Sequence, residues 1–331
     1  MKSEFKVISA ESEIIQAEKA VEKVPAIKNL LNENLISRWL KFAGVSANSI
    51  QTYEKCLRQL ARYFAENQIT APTREDLENW RDSLIDSGKS ASTVNLYLTT
   101  CKLFFRWLAQ DNIYKNITDH LKNRVKVSNG HKKDALSVSQ AKDLQKSIKG
   151  NSLKNLRDKA IVALMLSTGV RSIEVVRANV CDIRQIEGKY FLFVQGKGRN
   201  DKSESVLIAP KVYEKIQAYL KARKASGEKV LKNSPLFVST ANRNKNTRLD
   251  TQTIRKMIKS NLRKVGIDTP TITCHSLRHT AATIMIQQDE KLYNVQMVLR
   301  HRNLATTMIY NNAINRMKNH AEITAARVLI I

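Results

Sequence analysis

Between His275 and Tyr310 the chain carries the spacing that most restricts what it can fold into. His275-Ser276-Leu277-Arg278-His279-Thr280 is followed by Leu299-Arg300-His301-Arg302-Asn303 and then by Thr306-Thr307-Met308-Ile309-Tyr310. His275 and Arg278, three apart, share one face if their segment is helical. His301 and Tyr310 are nine apart, and on an unbroken helix at about 100° per residue they would point in opposite directions. A single site using both therefore needs the helix to break between them. Arg302-Asn303, poor helix-interior chemistry beside a run of helix formers, is the expected break, with Leu304 to Tyr310 as the next short helix.

The residue types suit attack on a phosphate. Breaking a DNA strand without a metal requires a nucleophile, positive charge to hold the phosphate, and a proton donor for the departing oxygen. A tyrosine phenol, with an ordinary pKa of about 10, needs help to ionise near neutrality. Arginine suits the phosphate because its planar fork bonds two oxygens at once and keeps its charge. A second arginine lies in Ser167-Thr168-Gly169-Val170-Arg171-Ser172-Ile173-Glu174-Val175. The apolar helix Ala160 to Leu166 should stop at Gly169. Arg171 then opens the next helix, whose free N–H groups also favour an anion, and Glu174 orients Arg171 rather than reacting.

Between these blocks, Tyr190 to Val194 and Ser205 to Ile208 read as a hairpin with a Gly-flanked basic tip, Gly196-Lys197-Gly198-Arg199-Asn200-Asp201-Lys202. Lys197 at that tip is placed to reach a leaving oxygen and donate a proton. Taken singly, a histidine or tyrosine on a helix is usually structural. Six such residues in this order leave little room for coincidence. His279 is read as packing and kept out of the chemistry.

In these motifs the chain resembles the tyrosine recombinases, the phage-type integrase family, over roughly residues 34 to 316. The resemblance implies a mainly α protein: an N-terminal four-helix, SAM-like core-binding domain, and a C-terminal mixed α/β catalytic domain with a small antiparallel sheet. It implies that Arg171, Lys197, His275, Arg278 and His301 supply charge and proton transfer, while Tyr310 becomes linked to a 3′ phosphate and a 5′ hydroxyl leaves. No ATP, metal or other cofactor is then needed. Two departures from the family's pattern stand out. Arg300 occupies the place where glycine usually precedes this histidine, and Asn200 stands where a lysine is common.

Composition points to the same partner. The 331 residues suffice for two domains with ample cores, and 42% apolar content excludes a wholly disordered chain. Lysine plus arginine number 56 against 30 acidic residues, a net charge of +26. Solubility alone needs a magnitude of about 2 to 8, so a polyanion is expected. No apolar run approaches the ~20 residues of a membrane span, and the N-terminus lacks the apolar core of a signal peptide. The expectation is a cytoplasmic, nucleoid-associated protein with no membrane partner. Cys56, Cys101, Cys181 and Cys274 show no paired metal-binding spacing, and Cys274 beside His275 makes a poor metal site.

In chain order the expected divisions are an N-terminal extension (1–33), a helical DNA-binding domain (34–120), a basic linker (121–134), a catalytic domain (135–316) and a tail (317–331). The extension has a helical pattern at Ile14, Ile15, Ala17, Val21 and Val24, interrupted by Pro25. In the second division Ile50, Tyr53, Leu57, Leu60 and Phe64 recur at three and four, Thr73 caps the next helix, and Gly88 ends it. The fourth helix, from Ser90, buries Val94, Leu98, Cys101, Phe105 and Leu108. Its other face offers Lys89, Ser92, Thr93, Asn95, Lys102 and Arg106, a mixture able to bond phosphates and base edges, though such faces are most often just solvated. The resemblance implies that this helix enters the major groove. Arg199, Lys202 and Arg300 complete the expected DNA contacts. Ser137 to Gln140 forms a capping box that opens the catalytic domain, and Leu236-Phe237-Val238 reads as a further short strand.

The apolar end, Val328-Leu329-Ile330-Ile331, packs on its own domain or docks into a neighbouring protomer, as the family's tails do. The function expected is site-specific recombination by a homotetramer on two double-stranded DNA sites, passing through a four-way junction. Integration or excision of a mobile element is the leading role. Replicon dimer resolution and DNA inversion share the chemistry, and accessory directionality or host factors are left open. A type IB topoisomerase-like enzyme and a non-catalytic DNA-binding regulator are the rivals.

Overall fold

A computed structural model of the chain describes residues 31–122, 134–196, 199, 201–318 and 321–330. Most of the expected extension and linker, together with Lys197 and Asn200, lie outside the described residues. The described chain forms two compact units that divide within the 123–133 segment.

The first unit is α1 (Glu33–Phe42), α2 (Ala47–Glu66), α3 (Arg74–Asp86) and α4 (Ala91–Gln110). Each begins at a capping side chain: Asn32, Ser46, Thr73 and Ser90 accept from the N–H three residues on. Such a cap satisfies an otherwise orphaned donor and is worth about 1 kcal/mol. Thr73 and Asp76 close a full capping box. The helix it opens stops at Asp86, before Gly88, which takes φ +73° in the turn that follows. The expected stripes face one core. Leu57, Leu60 and Phe64 of α2 pack with Val94, Leu98, Cys101, Phe105 and Leu108 of α4, all at most 1% exposed. Trp39 stacks on Tyr53 and meets the edge of Phe104, with centroids 5.6 and 5.3 Å apart.

The second unit is built around α6 (Leu153–Thr168), preceded by α5 (Val138–Lys146) and followed by α7 (Ser172–Arg177). Ser137 and Gln140 form the expected box at the start of α5. Ala160 to Met165 are buried without interruption, because α8 (Pro210–Ala225), α10 (Cys274–Gln287) and the sheet all pack on α6. The sheet contains β1 (Ile183–Ile186), β2 (Lys189–Val194) and β3 (Glu204–Ile208), antiparallel in that order. In β2 and β3, Leu192 pairs with Val206 and Tyr190 with Ile208, so Leu192, Val194, Val206 and Ile208 turn to the core. α9 (Thr251–Lys264) follows α8, and α11 (Leu292–Leu299), α12 (Leu304–Lys318) and α13 (Ala321–Leu329) follow α10.

Two readings change. The hairpin gains a third strand, β1, mostly exposed and with isoleucines only at its two ends, so it lacks an apolar alternation. Glu187 and Gly188, at φ +49° and +75°, make its turn into β2. Leu236 to Val238 is not a strand. It is a buried connection that makes only isolated bridges, Asn179 to Pro235 and Val238 to Arg248. Side chains take the place of a strand partner: Arg223 donates to Pro235 O (2.8 Å) and Leu236 O (3.1 Å), and Arg157 donates to Val238 O (3.0 Å). No helix among the described residues is long and apolar enough to cross a membrane.

Candidate active site

The catalytic candidates meet where α6, α10 and α11 end or begin against one another. Gly169 caps α6 at φ +62°, and a Cβ there would sit 2.6 Å from Leu299 Cδ2, so this position suits glycine for both conformation and space. The chain then turns outward through Val170 to Arg171, the extended residue at the start of α7. Glu174, one turn on, is fully buried. Its Oε2 accepts the Arg171 backbone N–H at 2.7 Å, and its Oε1 accepts Arg171 Nη1 at 2.9 Å. The orienting role expected of Glu174 is therefore the contact observed.

Arg278, on α10, is 1% exposed. It donates Nη1 to Gly169 O at 2.6 Å and Nη2 to Leu299 O, stapling the ends of α6 and α11 together. Burial, then repulsion from Arg171 and Arg300, pushes its pKa down to about 9, which leaves it charged at neutral pH.

The helix does break before Tyr310, but the break spans Arg300 to Asn303, starting two residues before the expected Arg302-Asn303 and taking in His301. α11 ends at Leu299, Arg300 takes φ +56°, and α12 begins at Leu304 and runs on past Tyr310 to Lys318, longer than the short helix expected. The break turns the two rings nearly parallel, with centroids 6.4 Å and planes 6° apart. His301 Nδ1 lies 2.9 Å from the hydroxyl of the buried Thr307. Burial, and then the positive charge of Arg278, Arg171 and Arg300 and the nearby His275, pushes the His301 pKa down to about 3. Tyr310 is 4% exposed. Burial raises its pKa above the ordinary value, against the pull of Arg278 and Arg171.

His275, exposed at the start of α10, meets His279 edge-on at 4.7 Å between centroids, and His279 in turn lies 5.3 Å from the Tyr310 ring. Arg171, His275, Arg278, His301 and Tyr310 all line one cavity of about 690 Å³. Lys197 lies outside the described residues, while its neighbour Gly196 lines the cavity.

The remaining expected DNA contacts divide. Arg199 lines the cavity and pairs with Glu204 at 3.2 Å. Lys202 does not line it: its ammonium is held by Arg177 O at 3.1 Å and by Asp182, bonds internal to the fold. Arg300 also turns inward, bonding Glu174 Oε2 at 2.7 Å and Val298 O at 2.6 Å. On α4, Ser92, Asn95, Lys102 and Arg106 fall on one side at helical spacing, with Ser92 and Arg106 exposed. Lys89 precedes the helix, and Thr93 bonds the capping Ser90 at 2.9 Å. Reading the sequence missed Arg300 on Glu174, Thr307 on His301 and Glu204 in the cavity. A one-turn spacing exposes Glu174 to inference from Arg171, but nothing local links it to a residue 126 positions away. Among the described residues no group of three His, Cys, Asp or Glu side chains is placed to hold a metal.

A cavity lined by several arginines, with a buried phenol at its wall, is suited to hold a phosphodiester and attack it. The comparisons agree with that chemistry. Residues 134–316 match the model of the phage integrase family, and residues 38–112 match that of the phage integrase N-terminal SAM-like domain. The tyrosine recombinase XerA of Pyrococcus horikoshii is 28% identical over 292 residues, covering 87% of this chain and 92% of that protein. Among solved structures, the XerH site-specific recombinase in a post-cleavage complex with its palindromic difH substrate aligns with a TM-score of 0.70 at 22% identity, over 89% of this chain and 84% of that one. A lambda integrase tetramer bound to a Holliday junction aligns at 0.64 and 16% identity, over 94% and 88%. These two likenesses are of fold, whereas the family match spans more than half of the sequence. With the motifs from Arg171 to Tyr310 folded onto one cavity inside that match, the chain belongs to the phage integrase family, the tyrosine recombinases, and is an enzyme of site-specific DNA recombination.

Proposed function

We propose that this enzyme cleaves and rejoins double-stranded DNA through a 3′-phosphotyrosyl intermediate formed by Tyr310. The observation that carries the reading is the convergence of Arg171, His275, Arg278, His301 and Tyr310 on one cavity. Arg171 and Arg278 hold the scissile phosphate and offset the charge of its pentavalent transition state. The Tyr310 oxygen bonds to phosphorus as its proton passes to His275, and the bond to the 5′ oxygen breaks as Lys197 protonates that oxygen. Neutral His301, with the Thr307 hydroxyl at Nδ1, keeps its proton on Nε2 and donates it to a phosphate oxygen. The phosphotyrosyl bond conserves the energy of the phosphodiester, so a 5′ hydroxyl from a second duplex can reverse the step without ATP, metal or cofactor.

The α4 stripe reads the duplex beside the cleavage point, with Lys102 and Arg106 on phosphates and Asn95 on base edges. Two exchanges on two sites call for a homotetramer acting on nucleoid DNA in the cytoplasm, with the C-terminal helix passing between protomers. The likeness to Xer recombinases favours resolution of replicon dimers over the integration or excision of a mobile element. Directionality or host factors belong to the second role more than the first.

The test is a nicked suicide duplex taken from DNA flanking the gene, incubated without metal and read on a denaturing gel. The expected outcome is a covalent protein–DNA species with wild type and none with Tyr310→Phe. A bound duplex that never yields the adduct would refute the nucleophile and support a DNA-binding regulator. Products relaxed but never joined between sites would point to topoisomerase-like action.

A further inference from the structure

Arg300, expected as a DNA contact, stands in the cavity wall with its guanidinium turned onto Glu174. Its backbone is left-handed at φ +56°, a conformation natural to glycine and disfavoured by a side chain. Its side chain is 4% exposed, so a guanidinium has been taken out of water as well. A turn that only had to break the helix would be better served by glycine. Strain of this kind persists where surrounding bonds over-determine it, and such positions cluster at working sites.

The bonds say what is being held. Nη1 donates to Val298 O at 2.6 Å, tying the guanidinium to the last turn of α11, and Nη2 donates to Glu174 Oε2 at 2.7 Å. Nε makes no hydrogen bond and lies 3.8 Å from Glu204 Oε2, across the cavity wall. Each Nη gives one N–H to the fold, so Arg300 is tied to α11 and to Glu174 at once. Glu174 is clasped from two sides: its Oε1 takes Arg171 Nη1 at 2.9 Å, and its Oε2 takes the Arg171 backbone and Arg300. A carboxylate held by one arginine can swing with it, whereas one held by two from different elements cannot.

We infer that Arg300 is a positioning residue: by gripping one oxygen of buried Glu174, it locks the other against Arg171, so that the Arg171 guanidinium presents its remaining N–H groups to a phosphate in the cavity. The inference rests on the reading of that cavity as a phosphate site. It makes Arg300 act through Arg171, and it separates geometry from charge, because a lysine supplies the charge without the two-point grip.

The test uses the full chain as wild type, Arg300→Gly and Arg300→Lys. Folding is checked by circular dichroism. Inorganic phosphate is titrated against the ring resonances of His275 and His301, and adduct formation is followed on the nicked duplex. Arg300→Gly, which suits the left-handed backbone, is expected to bind phosphate roughly tenfold more weakly and to form adduct roughly tenfold more slowly, with duplex affinity within about twofold of wild type. Arg300→Lys is expected to recover less than about threefold of the loss. Phosphate affinity in Arg300→Gly within about twofold of wild type would overturn the proposal. Full recovery by lysine would do so too, since charge alone would then suffice, and so would the absence of phosphate binding by wild type. If the glycine variant does not fold, the lysine variant decides by the same thresholds. Wild type that binds phosphate but never forms adduct would remove the recombinase reading of Tyr310 and leave the Arg300 result standing.

Discussion

At Tyr310 two demands oppose each other: burial raises the phenol's pKa, while Arg278 and Arg171 pull it down. A phenol in this state stays protonated at neutral pH, so the proposed attack requires its proton to be taken up by another group. His301 shows the complementary effect. Its folded pKa of about 3 lies below the ordinary 6.5, because burial and the facing groups Arg278, Arg171, Arg300 and His275 all disfavour the imidazolium. Above pH 6.5 both folded and unfolded chains keep this ring neutral, and it contributes no pH dependence. Between 6.5 and about 3 the unfolded chain takes up a proton that the folded chain refuses, so stability is lost as pH falls. One refused proton can cost at most about 1.4 kcal/mol per pH unit, and partial exposure of the ring lowers this. Chemical denaturation of wild type and His301→Asn at about pH 7 and about pH 5 should show wild type losing about 1 kcal/mol more than the variant. Equal losses would mean that His301 takes up its proton in the folded state, and the proton-donor role of its Nε2 would need revision.

At the scale of elements, α4 sets a buried face against a polar one. Its buried side is fixed by packing with α2 and α3, so the helix can present Ser92, Asn95, Lys102 and Arg106 without rearrangement. If Lys102 and Arg106 contact phosphates, each alanine substitution should weaken binding to all sequences alike and reduce the magnitude of the salt slope by about 0.9. Asn95→Ala should instead relax sequence preference and leave the slope unchanged. Salt titrations of duplex binding distinguish the two, and an unchanged slope in the Lys102 and Arg106 variants would remove them from the interface. The elements also show what a sequence can disclose. Helix starts were legible because a capping side chain and an apolar stripe are local, as at Thr73, Ser90 and Ser137. A break before Tyr310 was legible because two residues of one site cannot sit on opposite sides of one helix. The strand β1 was not, since its pairing with β2 asks nothing apolar of its own sequence. Leu236 to Val238 misled because burial gives strands and buried connections the same composition, and only long-range partners such as Arg223 and Arg157 tell them apart. The clasp on Glu174 is of that second kind.

On the scale of the whole molecule, the chain ends in a helix that its own unit leaves largely uncovered. In α13 and the residue after it, Ile323 is 49% exposed, and Val328, Leu329 and Ile330 are between 74% and 79% exposed. Fully burying such side chains is worth about 1.5 to 3 kcal/mol each, so contact with a second protomer would be a substantial source of assembly energy. The same helix follows α12, which carries Tyr310, and an outward pull on one would be felt by the other. Assembly and nucleophile placement would then be coupled, limiting cleavage to complexes in which a partner strand is at hand. A chain truncated after Lys318 should keep its melting temperature, and its affinity for a single duplex within about twofold, since none of the described residues removed belongs to a core cluster. If the proposed tetramer forms through this helix, the truncated chain should fail to assemble on paired sites and should form adduct roughly tenfold more slowly. Light scattering of the complex with paired duplexes reads the first effect, and the nicked-duplex gel reads the second. A truncated chain that still assembles and cleaves at the wild-type rate would place the tail outside the interface, and any assembly would have to rest on other surfaces. Loss of assembly with cleavage unchanged would separate the two functions, leaving α13 an assembly element with no hold on Tyr310.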